Sequence, residues 1–239
     1  MVTKVPKPNP NETQRVYNEL RYDLIAGEFA RGQPLTQKSI CSRYKTTRAP
    51  SRDALERLAG EGFVVRGAAR TLNVASYEIS DAKALLAIRM CLEATAAWAI
   101  KTDNRNPNTE VLKEITSHMR DLCDGGFSVD DRVQFFECDF QFHSNFLESA
   151  GYAGASQVLH RSFFGLTLFV GTGIDKADAI SICEQHELII KKLARGSAED
   201  LIRVCRDHVF KATSGWFRSL GNFASDELPQ IFKLLAKKR

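Results

Sequence analysis

Residues 46–58 read TTRAPSRDALERL. Arg48 and Arg52 are four residues apart, so a helix places them on one face, one turn apart. Thr47 stands where a cap belongs, and its hydroxyl is predicted to bind the first turn. Pro50 is tolerated there because first-turn amides have no helical partner. Leu55 and Leu58 form an inward side, and Gly60 with Gly62 ends the helix. A short helix that opens on two guanidinium groups and anchors itself by leucines faces a partner rich in acceptors.

The flanking text supplies a frame for that helix. Upstream, Val16, Leu20, Leu24 and Ile25 recur at helical spacing from Glu12 to Gly27. ARGQP is a turn, and Thr36 caps a short helix over 36–44. Downstream, FVVRGAARTLNVAS predicts two short strands, 63–66 and 71–75, around a turn at Gly67. Three helices and a hairpin in this order describe a winged helix-turn-helix over residues 12–77, behind a Pro-rich tail of residues 1–11. In that motif the N-terminal residues of the second motif helix meet base edges in the major groove. An arginine fork matches guanine O6 and N7 and discriminates by about 1–3 kcal/mol. The candidate DNA-binding residues are therefore Arg48 and Arg52, with Lys45, Thr46 and Thr47 on phosphate and Arg66 and Arg70 in the wing. The competing reading pairs these arginines with Asp53, Glu56 or Glu61 on the surface; the order turn, capped helix, hairpin favours DNA.

Charge follows the same division. Residues 1–77 hold 13 Lys+Arg against 7 Asp+Glu, and the remainder holds 20 against 22. A basic head on a mildly acidic body fits a polyanion partner for the head alone. There is no apolar run of transmembrane length, and the start of the chain has no apolar signal core. The six cysteines are scattered without a CxxC pair, which predicts reduced thiols and a cytoplasmic protein.

Beyond Ser80 helical periodicity takes over. Helices are predicted near 80–101, 109–123, 129–149, 154–171, 177–195, 198–219 and 226–237, an all-α bundle over residues 78–239. The fold class is thus mainly α: a winged helix-turn-helix followed by an all-α helical-bundle domain. Within the bundle, Asp139 and His143 of DFQFH are i,i+4, and His186 and His208 fall on successive later helices. One carboxylate and three imidazoles projecting from bundle helices make a candidate divalent-metal site, although a lone buried histidine is more often a hydrogen-bonded core residue. His118 and His160 are read as core or surface groups.

Two segments carry a family resemblance. GQPLTQKSICSRYKTTRAPSRDALERLAGEGFVV resembles the DNA-binding domain of GntR-family transcriptional regulators, through Thr47, Arg48, Pro50, Arg52, Asp53, Ala54, Leu55, Leu58, Glu61 and Gly62. Where that family's wing carries Arg-Gly, this chain has Arg70-Thr71. FFECDFQFHSNFLESAG and EQHELIIKKLARGSAEDLIRVCRDHV resemble segments of the FCD ligand-binding domain, and LLAIRMCLEATAAWAI resembles its first helix. The resemblance implies that Asp139, His143, His186 and His208 are metal ligands, for zinc or for nickel, iron or manganese. It implies a small organic acid as effector. Arg89 is the candidate clamp for the acid's carboxylate, against a reading in which it pairs with Glu93 across one turn.

The leading functional expectation is a DNA-binding regulator, a repressor acting as a homodimer on a palindromic operator. The alternative is a helical-bundle metalloenzyme using the Asp/His cluster. A third reading makes the cluster a structural staple.

Overall fold

Side-chain caps start several of the helices. The computed structural model describes residues 10–67, 71–170 and 174–219. The chain divides into two compact units, Met1–Tyr77 and Glu78–Arg239.

The first unit contains α1 (Pro10–Ala26), α2 (Gln37–Arg43), α3 (Arg48–Glu61), β1 (Val64–Arg66) and β2 (Leu72–Val74). Val16, Leu20, Leu24 and Ile25 are buried on α1, and Ala54, Leu55 and Leu58 are buried on α3. These two helices pack together, and each such large aliphatic contributes roughly 1.5–3 kcal/mol through burial. Thr36 Oγ1 accepts from Ser39 N–H at 3.1 Å and starts α2. Thr47 is the N-cap of α3 in extended geometry, but its hydroxyl makes no capping hydrogen bond, contrary to the sequence reading. A cap hydroxyl accepts from the second or third helical amide, and Pro50, at the third, has none, which leaves only Ala49 N–H to offer. Gly62, in the left-handed region at φ 89°, ends the helix, while Gly60 sits inside it.

The hairpin is antiparallel, with Val64 opposite Val74 and Arg66 opposite Leu72. Both strands are shorter than the sequence reading gave. At Gly67 a Cβ would come within 2.7 Å of Asn73 Nδ2 and 2.9 Å of Thr71 Oγ1, so a larger residue there would displace those two side-chain ends.

The second unit is helical throughout its described residues: α4 (Ile79–Thr102), α5 (Thr109–Leu122), α6 (Val129–Ser149), α7 (Ser156–Val170), α8 (Lys176–Arg195) and α9 (Ala198–Ser219). A 3-10 turn over Ala153–Ala155 precedes α7, where a continuous helix from 154 was expected. The short helix expected over 226–237 lies outside the described residues. Ser128 and Asp131 form a reciprocal capping box at α6. Asp175 caps α8 through Asp178 N–H at 2.8 Å, and Ser197 caps α9 through Asp200 N–H at 3.1 Å. Helix α4 packs along α9 and α7, and α5 packs between α6 and α8. Ala96, Ala97 and Ala99 of α4 enter the core with Phe142, Phe146, Ile189, Leu201 and Val204. Among the described residues no helix is long and apolar enough to cross a membrane, and all six cysteines are free thiols.

Candidate functional site

Helix periodicity puts Asp139 and His143 on the inward side of α6, His186 on that of α8 and His208 on that of α9. All four are buried, and their ligand atoms lie within 4.8 Å of one another. Asp139 Oδ1 is 3.1 Å from His186 Nε2 and 3.4 Å from His143 Nε2. His143 Nε2 is 3.0 Å from His208 Nε2. The ring of Phe142 stacks on His186 at 3.7 Å between centroids and fixes its plane.

The donor set fits a divalent transition metal. Asp139 Oδ1 and His186 Nε2 are buried, close, and without hydrogen-bond partners. Unpaired polar atoms of this kind cost roughly 1–3 kcal/mol each unless something else engages them. Two nitrogens each about 2.0–2.1 Å from one ion, at near-tetrahedral or right angles, stand about 3 Å apart, which matches the His143–His208 separation. Three imidazoles and one carboxylate suit zinc, nickel, iron or copper.

Electrostatics favours the ligating forms of most of the set. Burial would raise the Asp139 carboxyl, but contacts with His143 and His186 hold it well below the usual carboxylate range. Burial lowers His186 below the usual imidazole range, and it lowers His208 further, with its two neighbouring histidines adding to the effect. Burial opposes charge on His143 too, yet the Glu93 carboxylate outweighs it and raises His143.

Behind the four lies a further layer. Glu93 Oε2 is 3.0 Å from His143 Nδ1, within ion-pair range but out of line for a hydrogen bond. Its other oxygen accepts from Arg89 Nε at 2.8 Å. Burial would raise Glu93, but His143 and Arg89 hold it below the usual range. Gln185 Oε1 is 3.1 Å from His208 Nδ1, and Gln185 Nε2 donates to Ser181 Oγ at 3.1 Å. A group of this kind behind an imidazole sets its tautomer and aim. Sequence reasoning reached Glu93 only as a partner for Arg89 and missed Gln185, whose contact with His208 spans 23 residues and leaves no local signal. Arg89 is buried over the Phe163 ring, and its Nη2 has no hydrogen-bond partner. Its pairing with Glu93 therefore leaves a donor spare. Of the remaining histidines, His118 is exposed and His160 packs against Phe140 and Phe164.

In the first unit Arg48 and Arg52 are both exposed at the start of α3. Arg52 Nη2 meets Asp53 Oδ1 at 3.2 Å, with the guanidinium side chain 61% exposed. Lys45 is exposed in the α2–α3 turn at φ 47°, a conformation uncommon for a lysine. Thr47 is exposed beside it, while the Thr46 hydroxyl donates to Glu12 Oε1 at 2.6 Å. Arg66 is exposed on β1 and paired with Glu56. Arg70 lies outside the described residues.

Residues 12–71 match the gntR family of bacterial regulatory proteins, and residues 84–211 match the FCD domain. The chain belongs to the GntR family. Its relatives include the HTH-type transcriptional regulator BphR of Paraburkholderia xenovorans, 23% identical over 208 residues, covering 84% of this chain and 83% of BphR. The HTH-type transcriptional repressor RspR of Escherichia coli K12 is 26% identical over 137 residues, a match that spans only 56% of this GntR chain and 58% of RspR. The solved structure of E. coli McbR/YncC has the same fold, with a TM-score of 0.66 at 18% identity over 87% of this chain and 98% of that one. Transcription regulation through a DNA-binding head and an FCD domain is the family assignment.

Proposed function

We propose that this chain is a metabolite-responsive repressor whose DNA affinity is set by a small organic acid bound at a metal site in the FCD domain. The observation that carries the reading is the buried Asp139–His143–His186–His208 cluster, its ligand atoms gathered within 4.8 Å. Arg48 and Arg52 enter the major groove, Lys45 and Thr47 hold phosphate, and Arg66 and Arg70 act from the wing, while Thr46, expected on phosphate, spends its hydroxyl proton on Glu12. One winged helix reads one half-site, so a homodimer binds a palindromic operator.

A divalent ion held by the four residues, with zinc the first candidate, would supply positive charge and open positions for an anionic ligand. With neutral imidazoles, the carboxylates of Asp139 and Glu93 against Arg89 leave one net negative charge; a divalent ion reverses it to one net positive. The spare Arg89 Nη2 then donates to the acid's second oxygen. Glu93 holds Arg89 in place and backs His143, while Gln185 backs His208. Acid binding alters operator affinity only as far as it binds one arrangement of the two heads more tightly than the other. The metalloenzyme alternative gains nothing from the family assignment.

The test is a gel shift on DNA flanking the chain's own gene, paired with elemental analysis of the purified protein. One metal ion per chain is expected, with a specific complex that a small organic acid weakens and a chelator desensitises to that acid. A metal that stabilises the protein while no acid alters binding would reduce the cluster to a staple. Loss of any sequence-specific complex would overturn the reading.

A further inference from the structure

Arg48, Arg52 and Glu56 follow one another at intervals of four along α3, and all three are exposed. A carboxylate thus continues the line of the two guanidinium groups one turn on. That carboxylate is already engaged. Glu56 Oε2 accepts from Arg66 Nη2 at 2.5 Å, across ten residues, and so ties α3 to the first strand of the wing. Arg52 is placed to claim Glu56 at i,i+4, but its guanidinium turns to Asp53 instead. Arg57 is held by Glu61 and stands over the Tyr17 ring. Arg48 has no ion pair among the described residues. The head therefore offers Arg48 and withholds the wing's Arg66. An acidic side chain in this place costs affinity for every duplex, because it repels phosphate and occupies a cation that would bind it.

We infer that Glu56 is a specificity-determining residue: it holds Arg66 off the phosphate backbone until the two arginines of α3 have engaged their bases. The inference rests on the DNA-binding reading above and adds a residue that reading leaves idle. Phosphate contacts hold DNA of any sequence, and base contacts discriminate. Specificity is the difference between two affinities, so a device that weakens the sequence-blind one sharpens it. The Glu56 and Arg66 side chains are 46% and 59% exposed, so the bridge is weak in water and opens when a phosphate arrives at close range. On an arbitrary sequence the arginine fork finds no matching acceptors, the head stands off, and the bridge stays closed. On the operator the fork seats, the wing comes down on the adjoining backbone, and Arg66 passes from carboxylate to phosphate. A pair within α3 would not serve, because it would mask a base-reading arginine and leave the wing's cation free.

Fluorescence anisotropy of the full chain, on DNA flanking its own gene and on a scrambled duplex, tests this across a salt series. The variants are Glu56→Gln, Arg66→Ala and the two combined; both side chains are exposed, so the fold is kept. On the scrambled duplex Glu56→Gln frees one guanidinium per head. The slope of log affinity on log salt should steepen by about 0.9 per head, which over the decade from about 1 M to 0.1 M amounts to a gain of roughly eightfold per head. On the operator the gain should be smaller, at most about fivefold, since Arg66 already meets phosphate there and only the opening of a surface pair is saved. The preference for the operator therefore falls. With Arg66→Ala present, Glu56→Gln should no longer steepen the slope, because no guanidinium is left to release. Unchanged affinity for the scrambled duplex in Glu56→Gln, or a steepening that persists undiminished without Arg66, would overturn the inference. So would a loss of operator affinity with no gain elsewhere, which would make the bridge a plain strut. A wild type with no preference for the flanking DNA would sink the repressor reading instead, and the scrambled-duplex measurements would still decide whether Glu56 restrains Arg66.

Discussion

Glu93→Ala should be among the most damaging single substitutions in the second unit. Glu93 is 1% exposed and Arg89 2% exposed, and they meet through Nε and Oε1 at 2.8 Å. Removing the carboxylate leaves a guanidinium in the core with no counter-charge, and breaking a buried pair from one side costs about 3–5 kcal/mol. His143 loses the carboxylate behind its Nδ1 at the same time. Domains of this size are stable by about 5–15 kcal/mol, so the loss is a large share of the total. Replacing both partners tells a different story: Arg89→Met with Glu93→Leu removes the charge and the demand for it together, and such swaps are often neutral or stabilising by about 1–4 kcal/mol. Urea unfolding in the presence of chelator, followed by tryptophan fluorescence, isolates the right unit, because both tryptophans, Trp98 and Trp216, lie beyond residue 77. With m near 2 kcal/mol/M, the single variant's midpoint should fall by about 1.5–2.5 M while the double variant's stays close to wild type. A single-variant loss under about 1 kcal/mol would mean that the pair is solvated in practice, and the burial argument for this site would fail with it.

Other outcomes follow from the same geometry. Arg48→Ala and Arg52→Ala should each cost roughly 1–3 kcal/mol of specific operator binding by fluorescence anisotropy, with the fold intact because both side chains are exposed; unchanged affinity in both would misplace the recognition helix. Zinc at a hundred times its dissociation constant should stabilise the second unit by about 2.7 kcal/mol in thermal unfolding; Asp139→Asn should lose most of that shift, and an undiminished shift would put the ion elsewhere. In the first unit, burial raises the phenols of Tyr17 and Tyr44 well above their ordinary range, reinforced by hydrogen bonds to Glu61 and Asp23 at 2.8 and 2.7 Å. A raised folded-state pKa means stability that is complete below the unfolded value near 10 and is lost as pH climbs towards the folded one. Alkaline unfolding of this unit should therefore start above about pH 10, and Tyr17→Phe with Tyr44→Phe should flatten that dependence; absorbance at 295 nm showing both phenols ionising in the folded protein would refute the assignment.

How much of this was legible in the sequence depends on the range of the interaction. Helix α6 announces itself because Ser128 and Asp131 bind each other's backbone within one turn. The failed Thr47 cap has an equally local contributor: Pro50 removes one of the two amides a cap can use, and that could have been read from residues 47–50. The four-residue cluster was legible only in part. Asp139 and His143 share a turn, but nothing in spacing alone sets His186 and His208 apart from His118 and His160; the family resemblance made that choice.

Periodicity, caps and charge determined the two-part plan and the arginine-led third helix, because those signals act between residues a turn or two apart. Tertiary packing alone decided what met across the bundle: His143 against His208, 65 residues away, and Gln185 behind His208. It also decided which side of α4 faced outward. That helix has apolar residues on every side and turns its Arg89–Glu93 pair inward, so its own periodicity names no buried face; only the placement of α9 and α7 against one side leaves Ile88 and Trp98 on the other. Burial is a property of neighbours, and neighbours distant in sequence write no pattern into the segment they cover.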